Sequence, residues 1–312
     1  MAPKLMGRSL LTSADFSAAE IRGILDLARR VKKERRSGKI LQRFKGKALA
    51  LLFEKRSTRT RCAFETAFGE EGGIPVFLST VDIHLGSKEP IEDTARILGG
   101  MFDAIQFRGF KQKTAEILAQ YSGVPVYNGL TDDWHPTQLL ADLMTLEEAC
   151  GGLAGKRMAY MGDGRNNVAN SLLVGCAIMG VHIVVVAPQE LHPAAEYVAL
   201  AKDAAAKTGA EILVTSDIDK GLAGADAVYT DVWVSMGEED KSADRIRLLT
   251  PYRVTVDAMK KTGREDSIFL HCLPAVRGNE VTAEVLDGPR SLAWEQGENR
   301  KHTIKALMLA TM

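Results

Sequence analysis

Apolar runs of strand length alternate with stretches of helical periodicity along almost the whole chain, and this alternation restricts the fold more than any other feature. Parallel strands with helices in the crossovers satisfy such a pattern. Ala48–Phe53, Pro75–Leu78, Ala104–Arg108 and Val124–Tyr127 read as strands. Thr58–Glu71, Ile91–Met101 and Lys113–Tyr121 fall between them with helical spacing. Upstream, Ser17 and Glu20 form a capping-box pattern, and Ile21, Ile24, Leu25, Ala28 and Val31 carry a helix to about Ser37. Pro136–Ala149 predicts a long helix ending at Gly151-Gly152. A second series follows, with strands at Arg157–Met161, His182–Val186, Glu211–Thr215, Ala227–Thr230 and Ser267–Leu270. Its clearest helices are Asn170–Met179 and Ala194–Thr208, with Gly180 and Gly209 where they should stop.

The expected fold is therefore α/β, with two domains that are each a mainly parallel sheet flanked by helices, joined by interdomain helices. A length of 312 residues suits two domains. The boundaries expected are 1–149, 150–290, and a C-terminal segment 291–312 whose helix, about Glu298–Met308, packs back on the first domain. Forty basic and forty acidic residues cancel, so no global field favours nucleic acid or a membrane surface. No apolar run approaches the ~20 residues of a membrane helix. Met1–Leu11 lacks the long apolar core of a signal peptide, which points to the cytoplasm. The cysteines at 62, 150, 176 and 272 form no CxxC pair, so neither a disulfide framework nor a zinc site is expected. Cys62, Cys150 and Cys176 read as buried apolar residues, and Cys272 stands apart for reasons given below.

The chemistry starts where strand Ala48–Phe53 runs into Glu54-Lys55-Arg56-Ser57-Thr58-Arg59-Thr60-Arg61 and then a helix. A helix N-terminus offers unpaired N–H groups and a partial positive charge, which suit an anion. Ser57 is a good N-cap, Thr58 and Thr60 add hydroxyls, and Arg59 supplies a planar fork matched to phosphate. Many basic turns of this kind are ordinary helix starts, but the strand–turn–helix setting and the full string Ser57-Thr58-Arg59-Thr60-Arg61 weigh toward a phosphate cradle. Gly162-Asp163-Gly164, also between a strand and a helix, suggests a dinucleotide fingerprint. Position 167 is Asn where the third glycine is required, so no nucleotide cofactor is expected.

Lys55, Ser57-Thr58-Arg59-Thr60-Arg61 and Phe64-Glu65 resemble the carbamoyl phosphate signature of the aspartate and ornithine carbamoyltransferases. His135-Pro136-Thr137-Gln138 is similar to that family's carbonyl-binding motif, and Phe107-Arg108-Gly109 to its intervening arginine. In the second half, Asp231-Val232-Trp233-Val234-Ser235-Met236-Gly237 and His271-Cys272-Leu273-Pro274 resemble the acceptor motifs of the ornithine branch. Gly162 through Asn167, and Glu298-Asn299-Arg300, extend the likeness over nearly the whole chain.

The resemblance implies that carbamoyl phosphate and L-ornithine are the substrates and that the product is L-citrulline. It assigns Ser57, Thr58, Arg59 and Thr60 to the phosphate, joined by His84 where many relatives carry Gln. Arg108, His135 and Thr60 polarise the carbonyl oxygen, with Pro136 and Thr137 in the same motif. Gln138, Arg300 and the main-chain carbonyls of Cys272 and Leu273 hold the carbamoyl NH2. Asn167, Asp231, Ser235 and Met236 bind ornithine, and the Cys272 thiol lies beside the attacking amine near Asp231. Metal and cofactor are both expected to be absent. A cis Leu273–Pro274 bond and a homotrimer with shared active sites are implied, with the 79–90 stretch touching a neighbour's phosphate.

The residues themselves agree with an ornithine-type acceptor. An anionic Asp231 suits an ammonium, Asn167 can donate to a carboxylate, and this half shows no extra cation cluster for a dicarboxylate. Two rivals stand beside this reading: the same transfer to another amine such as putrescine, and a non-catalytic anion-binding relative. Whether arginine is made or broken down stays open at this level. Trp294, where relatives usually carry an acidic residue, has no physical account here.

Overall fold

Residues 5–79, 83, 88–234 and 242–312 are described by the structure, a computed structural model. They form two compact units, Met1–Ala141 with Glu298–Met312, and Asp142–Gly297. In unit 1, α1 (Ala18–Arg36) precedes β1 (Ala48–Phe53), α2 (Thr58–Gly69), β2 (Ile74–Ser79), α3 (Ile91–Met101), β3 (Ala104–Arg108), α4 (Gln112–Ser122) and β4 (Val126–Leu130). The sheet order is β2-β1-β3-β4, and every pairing is parallel. The capping box at Ser17 is formed, with both reciprocal bonds in place. Alternation along the strands sends Ala50, Leu52, Ile105, Phe107 and Val126 into one core layer with Ala95, Leu98 and Leu118 of α3 and α4.

Helix α5 (Pro136–Cys150) carries the chain from unit 1 into unit 2. Unit 2 then runs β5 (Arg157–Met161), α6 (Asn167–Ile178), β6 (His182–Val186), α7 (Ala195–Thr208), β7 (Ile212–Thr215), α8 (Ile218–Leu222), β8 (Ala227–Thr230), α9 (Ser242–Leu249), α10 (Val256–Lys260), β9 (Ile268–His271) and α11 (Ala283–Leu286). Its five strands are again all parallel, in the order β7-β6-β5-β8-β9. Helix α12 (Ala293–Thr311) starts in unit 2 and ends in unit 1. No described helix is long and apolar enough to cross a membrane.

Several boundaries differ from expectation for local reasons. β4 begins two residues late, because Gly123 adopts the left-handed conformation and Ser122 bonds back to Val124. α6 begins at Asn167 instead of Asn170, since Asn166 caps it by accepting from the Ala169 N–H. α12 is longer than its apolar pattern suggests, and Gly297 inside it masks the first turn. α8, α10 and α11 are too short to show a period. The cysteine reading is corrected: Cys176 is buried, but Cys62 is exposed and Cys150 half-buried. Cys62 lies on the outer side of α2 beside exposed Arg61, and Cys150 is the last residue of α5.

The end of α12 is fixed in unit 1 by buried polar bonds as well as by packing. Lys305 pairs with Glu70 at 3.1 Å and Glu71 at 3.2 Å. Glu71 also takes two bonds from Arg43, at 2.9 and 2.7 Å. Lys32 donates to Asn299 at 2.7 Å, and Tyr127 and Thr311 share a hydroxyl bond of 2.6 Å. Burial alone would push the Glu70 carboxyl up, but bonds from Lys301 and Lys305 outweigh it and bring the pKa from 4.5 to about 2. Burial drops His302 from 6.5 to about 4 in spite of Glu298. In both cases the folded chain refuses a proton that the unfolded chain accepts, so stability rises with pH. The His302 contribution is lost as pH falls from 6.5 through 4, and the Glu70 contribution from 4.5 through 2. Thermal unfolding across pH should show Tm falling over this range, with Glu70→Gln flattening the part below 4.5. Lys305→Met strips a buried cation from two carboxylates and should cost about 3 kcal/mol in urea unfolding.

Candidate active site

Unit 1 gathers the basic residues at the C-terminal ends of its strands. β1 ends at Phe53, and the next turn leads into α2 through Ser57, whose hydroxyl accepts from the Thr60 N–H at 3.1 Å. No acidic residue lies in the first turn of α2, so nothing offsets the positive end of its dipole. The Arg108 carbonyl, at the end of β3, accepts the Glu54 N–H at 2.8 Å and thereby fixes where the turn starts. Gly109 follows because a Cβ there would lie 2.1 Å from the Glu54 carboxylate and 2.3 Å from the Phe107 ring. Glu54 itself accepts from the Phe110 N–H at 2.9 Å.

Two guanidinium groups converge on one hydroxyl. Thr60 Oγ1 accepts from Arg108 Nη1 at 3.3 Å and from Arg300 Nη2 at 2.8 Å. All three residues are buried, as are His135, Thr137 and Gln138. Burial, and then the charges of Arg300, Arg108 and Arg59, push the His135 imidazolium well below its ordinary pKa of 6.5. His135 is therefore a neutral imidazole at physiological pH, able to donate a hydrogen bond without adding a further cation. Pro136 is the first residue of α5, a position suited to its missing N–H. A cavity of ≈ 510 Å³ lies beside the α2 turn, lined in part by Lys55, Ser57, Thr58, Arg61 and Cys62. Lys55 is buried, pairs with Asp132 and stacks over Phe110 at 4.3 Å.

Unit 2 presents the opposite charge. Asp231 follows β8 and is buried. Its Oδ1 accepts from the Val232 N–H at 2.8 Å and the Cys272 thiol at 2.9 Å, and its Oδ2 accepts from Asn166 Nδ2 at 3.1 Å. Burial raises the Asp231 pKa, offset in part by His271 and the Cys272 hydrogen bond. Asn166 also donates to the Tyr160 hydroxyl at 2.8 Å. Asn166 and Tyr160 are thus site residues missed in the sequence, where attention fell on Asn167, the first residue of α6. The N-cap pattern of an Asn before an apolar helix was the available signal.

Cys272 and Leu273 follow β9 directly. The Leu273–Pro274 bond is cis, as expected, and Leu273 alone among the described non-glycine residues has positive φ, at 58°. Its N–H donates to His271 Nδ1 at 2.8 Å, which leaves Nε2 to carry the proton toward Glu280 at 3.3 Å. Asp231, His271 and Cys272 each offer a possible metal-ligand atom, all within 4.8 Å of one another. Both nitrogens of His271 are already engaged, however, so a cation would have to displace one of those bonds. The structure thus brings Ser57, Thr58, Arg59, Thr60, Arg108, His135, Pro136, Thr137, Gln138 and Arg300 into unit 1, and Asn167, Asp231, Cys272 and Leu273 into unit 2. His84, Ser235 and Met236 lie outside the described residues.

A histidine-selective NMR titration checks the charge state of the first cluster. The His135 ring should keep its neutral shifts through the whole range around 6.5. A midpoint near that value would mean that His135 is not buried beside the arginines as described.

Comparison with known proteins agrees with this division of charge. The family described as "Aspartate/ornithine carbamoyltransferase, carbamoyl-P binding domain" matches residues 8–148. The one described as "Aspartate/ornithine carbamoyltransferase, Asp/Orn binding domain" matches residues 154–311. The ornithine carbamoyltransferase of Caldanaerobacter subterraneus subsp. tengcongensis is 64% identical over 312 residues, with 100% of both chains covered. A catabolic ornithine carbamoyltransferase of Bacillus licheniformis is 52% identical, covering 99% of this chain and 97% of the relative. Among solved structures, the ornithine carbamoyltransferase of Pyrococcus furiosus superposes with a TM-score of 0.96 at 42% identity, covering 99% of this chain and 98% of its own.

Proposed function

The chain belongs to the aspartate/ornithine carbamoyltransferase family, and from that footing we propose how its two charged clusters divide the work. The reaction moves the carbamoyl group of carbamoyl phosphate to the side-chain amine of L-ornithine, giving L-citrulline and phosphate. Unit 1 holds the donor. The α2 turn, with Ser57, Thr58, Arg59 and Thr60, takes the phosphate. Arg108, neutral His135 and Thr60 face the carbonyl oxygen, where negative charge grows as the tetrahedral intermediate forms. Gln138 and Arg300 orient the carbamoyl group, and Pro136 and Thr137 hold the His135–Gln138 turn. No covalent enzyme intermediate is required, so positioning and electrostatics carry the rate.

Unit 2 selects the acceptor. The observation that carries this reading is the buried Asp231 carboxylate, held by Val232, Cys272 and Asn166 with no Lys or Arg among its hydrogen-bond donors in the described residues. Such a carboxylate attracts an ammonium-bearing acceptor and repels a dicarboxylate. Asn167 and the N-terminus of α6 serve the ornithine α-carboxylate, with Ser235 and Met236 completing the contact. The thiol of Cys272 donates to Asp231, so its place is beside the amine as a positioning group. The amine must shed its proton before attack, since an ammonium has no lone pair. Leu273 shares the same corner.

A colorimetric citrulline assay with ornithine, putrescine and aspartate separates the acceptor readings, and only ornithine should give efficient turnover. Arg59→Ala should raise the carbamoyl phosphate KM or lower kcat/KM by about 10- to 100-fold, in keeping with ~1.5–3 kcal/mol for a charge-assisted bond. Asp231→Asn should instead fall mainly on ornithine. Equal losses for both substrates in both variants would contradict the division of labour.

The assembly we favour is a cytoplasmic homotrimer with shared active sites. Four free thiols among the described residues accord with a reducing compartment. Mixing Arg59→Ala chains with His84→Ala chains under subunit exchange should yield activity above the sum of the parents. Strictly additive activity, with exchange confirmed, would place His84 within its own chain's site or outside catalysis.

A further inference from the structure

β3 is an interior strand, paired with β1 and β4, and Gln106 sits at its centre opposite Leu51 and Tyr127. Ile105 and Phe107 point into the apolar layer with α3 and α4, so Gln106 shares the other face with Arg108, two residues on. The side chain is 0% exposed, and neither its amide nitrogen nor its amide oxygen has a hydrogen-bond partner among the described residues. An unmade hydrogen bond at such a position is destabilising, because the group has lost its water without gaining a partner. A methionine or leucine of similar volume would remove that cost, which makes the amide an expensive choice for filling space.

Its neighbours say what it serves. A Cβ built on Gly129 of β4 would lie 2.4 Å from Gln106 Nε2 and 3.0 Å from Thr60 Cγ2. Gly129 is the residue skipped where the β3–β4 register shifts between Phe107 and Arg108, and the space left by its missing Cβ is taken up by these two side chains. The amide head and the Thr60 methyl therefore crowd the same bare Cα. A threonine methyl and hydroxyl rotate together about one stiff bond, so a wall against the methyl fixes the hydroxyl. That hydroxyl is the one reached by Arg108 and Arg300. The Gln106 amide head is the group that meets Gly129 on the side where the Thr60 methyl lies.

We propose that Gln106 is a positioning residue of the carbamoyl phosphate half-site, setting the Thr60 side chain with a desolvated amide packed beside it. This rests on the assignment of Thr60, Arg108 and Arg300 to carbamoyl phosphate made above. Gln106→Met keeps the volume and removes the dipole, and Gln106→Glu keeps the shape and adds a negative charge. The expected order of kcat/KM for carbamoyl phosphate is Gln, then Met about 10-fold lower, equivalent to about 1.4 kcal/mol, then Glu lower again. The ornithine KM should stay within twofold, and the Met variant should melt no lower than the parent, because an unbonded amide has gone. Thr60→Ala is run beside them. If Thr60→Ala is damaged and Gln106→Met keeps parental kinetics, or if Met loses activity only in step with its Tm and equally for both substrates, the inference about Gln106 is overturned. If Thr60→Ala itself leaves carbamoyl phosphate kinetics unchanged, the half-site assignment fails instead. Should the Glu variant not fold, the Met and Thr60 comparison decides alone.

Discussion

Unit 1 depends on the hydroxyl of Thr60 as the meeting point of two buried guanidinium groups. Arg108 comes from the end of β3 and Arg300 from α12, and both reach one oxygen in the first turn of α2. Like charges in a dry site repel, and the arginine charges add to the burial that already depresses the His135 pKa. The arrangement holds because other bonds fix each carrier. β3 is locked between two parallel neighbours, and α12 is tied down by Lys305 to Glu70 and Glu71 and by Asn299 to Lys32. Stability is thus supplied away from the cluster in which Arg59, Arg108 and Arg300 lie close to His135.

Unit 2 solves a related problem with the opposite sign and a different device. A buried carboxylate could be neutralised by a lysine or arginine, but Asp231 is held by a backbone N–H, a thiol and an amide. Neutral donors order the group without cancelling its charge. On the proposed acceptor reading, an incoming ammonium meets a fixed acceptor that has already been desolvated, so little reorganisation is left for binding. Cys272 stands beside Asp231 as a neutral thiol donor and not as a thiolate, so proximity alone does not make it a base.

The legible parts of this protein were those with a repeating period or a contiguous motif. The βα alternation gave both sheets, because buried parallel strands are continuous apolar runs and their helices are long. The α2 turn was readable because cap, hydroxyls and arginines fall within five consecutive residues, Ser57 to Arg61. What was not legible depends on partners remote in the chain. Gln106 looks like any polar residue in a strand until Gly129 and Thr60 are seen against it. Lys32 and Lys305 look like solvated lysines on helices, yet both are buried and bonded. The start of α12 was hidden by Gly297, whose low helix propensity tertiary packing overrides.

The neighbouring asparagines at 166 and 167 show how a one-residue difference in a helix boundary decides chemistry. With α6 starting at Asn167, Asn166 becomes the N-cap and its Oδ1 is used by the Ala169 N–H. Its two Nδ2 protons go to Tyr160 and Asp231. A carboxamide has one oxygen and two N–H groups, so Asn166 has no donor left for a substrate carboxylate. Had the helix begun at Asn170, as the apolar pattern suggested, both asparagines would lie in the loop and either could have served. The observed start divides their roles: Asn166 orders the Asp231 carboxylate, and under the proposed acceptor site recognition of the substrate carboxylate passes to Asn167 and the helix N-terminus behind it.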